Sequence, residues 1–268
     1  MMRARAVAVS LVLAGSVPLA GACNGSTGGD IFEFQAFAAG APNATAGEPY
    51  LFVNDLGFTV SLEEARIHLG AVYLNMSVPT SVASDTSCIL PGIYVAEVTT
   101  GLDLDALDPT PVPFPNAGLA TADRARTGEV WLTGGAVDAA NDSTVIVSVR
   151  GVATGAAGAF PFEGAITIGQ NRVPPPSDPA QPGEKPVCKQ RVVTPIDVDL
   201  EPEPGGSLVL RVDPAGWFGN VDFSALEQVQ TDPPLYRFRD DSEDQPSRNL
   251  YQGIRANAGV YSFFWETE

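Results

Sequence analysis

An all-β fold, an antiparallel sandwich with long Pro/Gly-rich loops and one or two short helices, is what this 268-residue sequence predicts. Three observations carry the prediction. Short runs alternate apolar and polar residues with a period of two and are rich in β-branched and aromatic side chains. Glycine (27) and proline (23) punctuate those runs at the spacing of a sandwich. Helical periodicity is confined to two short segments.

Taken in order, the expected strands are Ile31 to Ala38, Tyr50 to Val53, Phe58 to Leu62, Ala65 to Leu74, Ile93 to Val98, Gly128 to Leu132, Val145 to Ala153, Phe160 to Ile168, Lys189 to Leu200, Ser207 to Val212 and Val260 to Trp265. Within Ala65 to Leu74, period two places Ala65, Ile67, Leu69, Ala71 and Tyr73 on the core face. Arg66, His68, Gly70, Val72 and Leu74 fall on the other. Helix is expected at Phe223 to Gln228 and at Ser247 to Arg255, where Ser247 can cap and Leu250, Tyr251 and Ile254 form an apolar stripe. Asp108 to Pro115, Pro174 to Pro186 and Glu201 to Pro204 read as connections, because proline removes ladder donors. Trp131, Trp217 and Trp265 stand in apolar contexts and read as core.

Residues 1 to 22 read as a secretory leader. Arg3 and Arg5 precede a fourteen-residue apolar run, Ala6 to Leu19, that closes in Ala20-Gly21-Ala22-Cys23. The run is too short and too interrupted to span about 30 Å of hydrocarbon, and no later stretch reaches the roughly 20 apolar residues that spanning needs. Two processing routes fit. Leu19 to Cys23 resembles a bacterial lipoprotein box, with Cys23 acylated, and Ala20-x-Ala22 fits an ordinary leader peptidase. Lipidation is the preferred reading, since cysteine is rare here and Asn24 to Asp30 make a Gly/Ser-rich tether. Two acyl chains would hold the chain stably at a membrane. The expected address is the outer membrane or periplasm, or the medium if Cys23 stays unmodified.

The remaining 31–268 reads as a single sandwich domain, long enough to bury a core without metals. Removing Arg3 and Arg5 with the leader takes the formal charge from −17 to −19. Such a surface repels nucleic acid and anionic headgroups, so the membrane is expected to be met through the anchor alone. With Cys23 acylated, Cys88 and Cys188 remain as an even pair in an oxidising compartment. A structural disulfide between them is expected, closing a loop of about 100 residues and contributing roughly 4 to 5 kcal/mol in the chain-entropy picture.

Catalytic signatures are sparse. His68 is the only histidine, and no serine sits in a G-x-S-x-G elbow, which argues against nucleophilic hydrolysis. As a soft-metal site the chain offers His68, Met76 and the cysteines. Met76 lies about 26 Å from His68 if one strand runs through both. Asp240-Asp241-Ser242-Glu243-Asp244 has the D-x-S-x-D start of a calcium loop, with Asp240, Asp241 and Asp244 as candidate ligands, but Gln245 replaces its glycine and Tyr251 stands where the bidentate glutamate belongs. Irregular calcium binding there, or by Asp138, Asn141 and Asp142, is the alternative to a solvated acidic loop. A carboxylate pair could hydrolyse a glycan, but sequence alone selects no pair.

Two regions resemble the MbnP-like family of periplasmic copper-binding proteins. One runs from Phe34-Gln35-Ala36-Phe37 through Gly57-Phe58-Thr59-Val60-Ser61-Leu62-Glu63-Glu64-Ala65-Arg66-Ile67-His68-Leu69. The other runs from Cys188-Lys189-Gln190-Arg191 through Leu210-Arg211-Val212-Asp213 to Trp217-Phe218-Gly219-Asn220-Val221-Asp222-Phe223. The resemblance implies a largely β, exported protein that handles copper beside a dihaem peroxidase-like partner, with His68 as the one ligand that carries over. The family's M-F-W segment and its further histidines and cysteines are absent. Together these readings predict a non-enzymatic binding or interaction module with a protein or glycan partner. Copper binding and carboxylate-based glycan hydrolysis are the alternatives.

Overall fold

The computed structural model describes residues 30–77, 92–133, 143–171, 193, 195–256 and 259–267. Cys23, Cys88, Cys188, Asp138, Asn141, Asp142 and the Pro174 to Pro186 connection lie outside the described residues. The described strands form two sheets, in a mostly β, sandwich-like fold. One sheet holds β1 (Phe32–Ala39), β4 (Ala71–Asn75), β5 (Tyr94–Val98), β7 (Val112–Pro113), β8 (Gly118–Ala120), β9 (Ala125–Trp131), β12 (Ile196–Leu200), β13 (Ser207–Val212) and β16 (Tyr261–Glu266). Their order is β12-β9-β4-β5-β8-β1-β13-β16, with β7 beside β1. The other holds β2 (Tyr50–Val53), β3 (Thr59–Leu69), β6 (Leu102–Asp105), β10 (Val145–Gly155), β11 (Gly158–Thr167), β14 (Glu227–Thr231) and β15 (Pro234–Arg237). Here the order is β14-β15-β11-β10-β3-β2, with β6 beside β3.

Pairing is mainly antiparallel, as expected, but β1 with β13 and β11 with β15 run parallel. Alternation along each strand turns one side chain in two toward a shared core. Leu62, Ala65, Ile67 and Leu69 of β3 meet Val72 and Leu74 of β4, Val130 of β9, Phe162 of β11 and Leu208 of β13 in one buried cluster. The expected strand Ala65 to Leu74 is in fact two strands in different sheets. At Gly70 the chain crosses over, and its N–H donates to the Trp131 carbonyl at 2.7 Å. The crossing inverts the parity of the residues beyond it: Val72 and Leu74 are core and Tyr73 faces outward, the reverse of the expectation.

Other differences have similarly local causes. Phe223 to Gln228 is not a helix but a 3-10 turn, Phe223–Ala225, leading directly into β14. Besides α1, a single turn at Ile168–Asn171, the described α-helix is α2, Gln245–Ile254. Its N-cap is Asp244, whose carboxylate accepts from the Ser247 N–H at 2.7 Å; Ser247 is buried inside the first turn and accepts from the Arg239 N–H. Trp217 is fully buried as expected, and Trp265 is partly buried against Phe34 with ring centroids 5.1 Å apart. Trp131 lies on the outward side of its sheet, against Tyr73 at 5.7 Å. The short strands β6, β7, β8, β14 and β15 have no counterpart in the sequence reading.

Candidate functional site

One end of the sandwich is closed by a segment that the sequence makes both apolar and tightly turned. Asp213 and Asp222 each cap a 3-10 turn, Pro214–Phe218 and Phe223–Ala225, by accepting from a backbone N–H two residues on. Between and within these turns, Trp217, Phe218, Val221 and Phe223 are fully buried. Phe218 and Phe223 stack at 5.8 Å, and Phe162 of β11 meets both. The Trp217 to Phe223 stretch that carries part of the family resemblance is therefore, first, a core plug.

Asn54 ties that plug to the second sheet. It begins the β2–β3 turn, which Gly57 completes at φ +83°, a left-handed conformation that favours glycine. The buried Asn54 amide nitrogen donates to the carbonyls of Phe218 (3.2 Å) and Val221 (2.8 Å). Its oxygen accepts from the N–H groups of Leu56 and Phe58. The Asp55 N–H adds a bond to the Gly219 carbonyl at 3.0 Å.

Where α2 lies against this assembly, a groove of about 630 Å³ opens between the β2–β3 turn, the Ala215 to Asn220 stretch and the helix. Gly253 permits the approach, since a Cβ there would sit 2.3 Å from the Trp217 carbonyl oxygen. Asn249 and Gln245 fix the far wall by donating to the Asn220 carbonyl. The Asp55 carboxylate and the side-chain amides of Asn220 and Gln252 line the groove without a hydrogen bond or ion pair of their own among the described residues. Trp217, another wall residue, has a buried indole N–H with no hydrogen-bond partner among them. A concave site with a few convergent polar groups is the usual form of a small-molecule site.

Elsewhere the charged groups are largely satisfied by one another. A row of alternating sign crosses five strands on the outward face of the second sheet: Glu64, Arg150, Glu163, Arg237 and Glu227 stand in register on β3, β10, β11, β15 and β14. Arg150 reaches Glu63 at 2.8 Å and Arg237 reaches Glu163 at 2.6 Å. Arg124 pairs with Asp199, which raises the guanidinium pKa and holds the Asp199 carboxyl below its ordinary range.

The aspartates of the expected calcium loop do separate work. Asp240 accepts from the Thr167 N–H (2.6 Å) and hydroxyl (2.8 Å), Asp241 pairs with Arg239 at 2.6 Å, and Asp244 caps α2. His68 stands on the outward face of β3 opposite Asp103, with Nδ1 2.7 Å from the Asp103 carboxylate. Met76 lies on β4's exit from the other sheet. Among the described residues no three His, Cys, Asp or Glu side chains converge as metal ligands.

One buried acid stands apart. Glu129 of β9 is 1% exposed although it faces outward, and it accepts from Asn75 at 2.9 Å and from the Trp131 indole at 3.4 Å. Burial pushes its pKa up, against the opposing effect of those two donors. Tyr73 and Tyr94 pack beside it, with rings 4.9 Å apart, and burial with the Glu129 charge drives the Tyr94 phenol up to about 12. Compared with known protein families, curated proteins and solved structures, the chain matches none.

The sequence reading missed the groove entirely. Its only available signal was the Asn-Asp-Leu-Gly turn at 54–57 and a polar ridge at Asn249 and Gln252 on an otherwise amphipathic helix.

Proposed function

We propose that the chain is an exported bacterial lipoprotein, anchored through Cys23, that acts as a non-enzymatic binding module with the groove beside α2 as its binding site. The observation that carries this reading is the polar set Asp55, Asn220 and Gln252, whose side chains have no hydrogen bond or ion pair among the described residues and which line one groove. Two amides and one carboxylate match a ligand that both donates and accepts hydrogen bonds without carrying net negative charge. A neutral glycan segment has that chemistry. Asp55 is the one carboxylate among the described residues that line the groove, whereas glycoside hydrolysis uses a flanking pair. This supports binding over hydrolysis.

The test is calorimetry and array binding of the mature chain against neutral and acidic oligosaccharides, with Asn220→Ala and Gln252→Ala as variants. Binding of neutral sugars, weakened about tenfold by either change, is the expected result, one lost hydrogen bond to a ligand being worth about 1 kcal/mol or somewhat more. Glycan binding that neither variant alters, or none at all, would remove the groove from consideration.

A second reading, copper capture at His68, draws on the Asp103 contact. A carboxylate on one ring nitrogen fixes the imidazole and leaves Nε2 to a metal. Titration of the mature chain with Cu(I) and Cu(II), with His68→Ala as control, separates the two readings. Stoichiometric copper lost in the variant supports the second.

A further inference from the structure

The anchored reading leaves open which face of the molecule meets the bilayer, and the structure places an apolar surface where the tether arrives. Ile31 is 72% exposed, Leu119 44% and Tyr94 40%. Ile31, Tyr94 and Leu119 line one shallow hollow of about 230 Å³ where the start of β1 meets β8 and β5. No basic side chain among the described residues lines it. Cys23 is eight residues before Ile31, so the fully extended chain between them spans at most about 29 Å. An acyl anchor on Cys23 therefore confines this pole of the sandwich to the neighbourhood of the membrane surface.

We propose that the Ile31–Tyr94–Leu119 surface docks onto the lipid bilayer and leaves the α2 groove, at the far end of β1, open. This rests on the lipid-anchor reading. The partner is a zwitterionic surface. Glu33 and Glu97 stand in register on either side of Leu119, and anionic headgroups would repel them as well as the formal charge of the whole chain. A tyrosine with an apolar body and a polar tip suits the headgroup level. The parallel pair β1 and β13 sets the distance from this patch to the groove. Gln35 to Ala39 run alongside Ser207 to Arg211, so β13 leads away from the tether and ends at Val212. Asp213 and the Pro214–Phe218 turn, which forms a groove wall, come next, at the far end of β1. Eight residues of β1 put that end about 25 Å from Phe32.

The experiment uses the full chain purified from a host that acylates it, placed on phosphatidylethanolamine-rich vesicles or in detergent, with hydroxyl-radical labelling read by mass spectrometry. The same spectra give the mass of the N-terminal peptide. Labelling of Tyr94 and Leu119 is expected to drop severalfold on vesicles, while Val53 at the groove is unchanged. Ile31→Glu with Leu119→Glu, both at exposed positions, should stay vesicle-bound and lose the protection. Adding phosphatidylglycerol should weaken the protection in the native chain. An acylated chain labelled equally in vesicles and detergent overturns docking and leaves the anchor standing. An unmodified Cys23 overturns both.

Discussion

The side-chain amide of Asn75 donates to the carboxylate of Glu129 at 2.9 Å, and both residues are closed off from solvent on the outward side of the first sheet. Asn75 Oδ1 has no partner among the described residues. A carboxyl group buried in such a place, with only neutral donors beside it, favours its protonated form.

Glu129 should therefore give a stability that falls as pH rises. Its folded pKa is raised above the ordinary value by burial, so the native state binds the proton more tightly than the unfolded chain. The corresponding stability is fully present below the unfolded pKa and is lost as pH climbs through the raised folded value. Glu129→Gln keeps an acceptor and removes the charge. We expect a higher Tm near pH 7, by about 2 to 4 °C per kcal/mol recovered, and a flatter Tm against pH curve. A variant whose curve parallels the native one would show that Glu129 does not set the slope.

Asn54→Ala should be among the most damaging single changes in the described structure. It leaves the Val221 carbonyl and two turn N–H groups without their partner and takes from the Phe218 carbonyl one of its two donors, the other being the Val221 N–H, and each group left unpaired in a buried place costs roughly 1 to 3 kcal/mol. Urea denaturation should show a loss of at least about 2 kcal/mol on that basis. Asn54→Asp keeps the acceptor and aims a carboxylate at two carbonyls, so it should be no better. A loss below about 0.5 kcal/mol, the size of an ordinary surface change, would contradict the tie between sheet and plug.

Asp244→Ala removes the N-cap of α2 and should cost about 0.5 to 2 kcal/mol by thermal or chemical unfolding. Millimolar Ca²⁺ should leave the native Tm unchanged, because Asp240, Asp241 and Asp244 serve Thr167, Arg239 and the helix end respectively. A calcium-dependent rise in Tm abolished by Asp240→Asn would restore the acidic loop as a metal site.

Arg150→Glu should be salt-sensitive. It would set three carboxylates side by side on β3, β10 and β11. Exposed pairs are individually worth about 1 kcal/mol or less, so a destabilisation of roughly 1 to 2 kcal/mol at low salt should shrink by about half or more at roughly 0.5 M NaCl as screening sets in. An effect independent of salt would mean that the guanidinium's packing, not its charge, matters there.

Period two made much of the sandwich legible: Tyr50 to Val53 and Ser207 to Val212 are strands with the bounds that alternation gives. It could not reveal Gly70, because alternation continues through a crossing between sheets while the buried parity reverses. Tyr73 was thus expected inside and stands outside. Glu227 to Thr231 carries no apolar alternation, every residue being exposed; pairing with β15, not burial, makes it a strand. The groove was illegible for another reason. Its walls meet through contacts such as Asn54 to Val221, 167 residues apart, and no local pattern encodes such a meeting.

The parallel alignment of β1 with β13 also sets a timetable. Phe32 to Ala39, made well before β13, cannot complete its pairing in the middle of its sheet until Ser207 to Val212 exists, and β13 in turn awaits β16. Closing so long a loop before any reward from pairing makes for slow acquisition of structure. Until Ser207 to Glu266 have been made the nascent polypeptide thus carries a first sheet with an open flank, and completion of that sheet awaits the stretch from Ser207 onward.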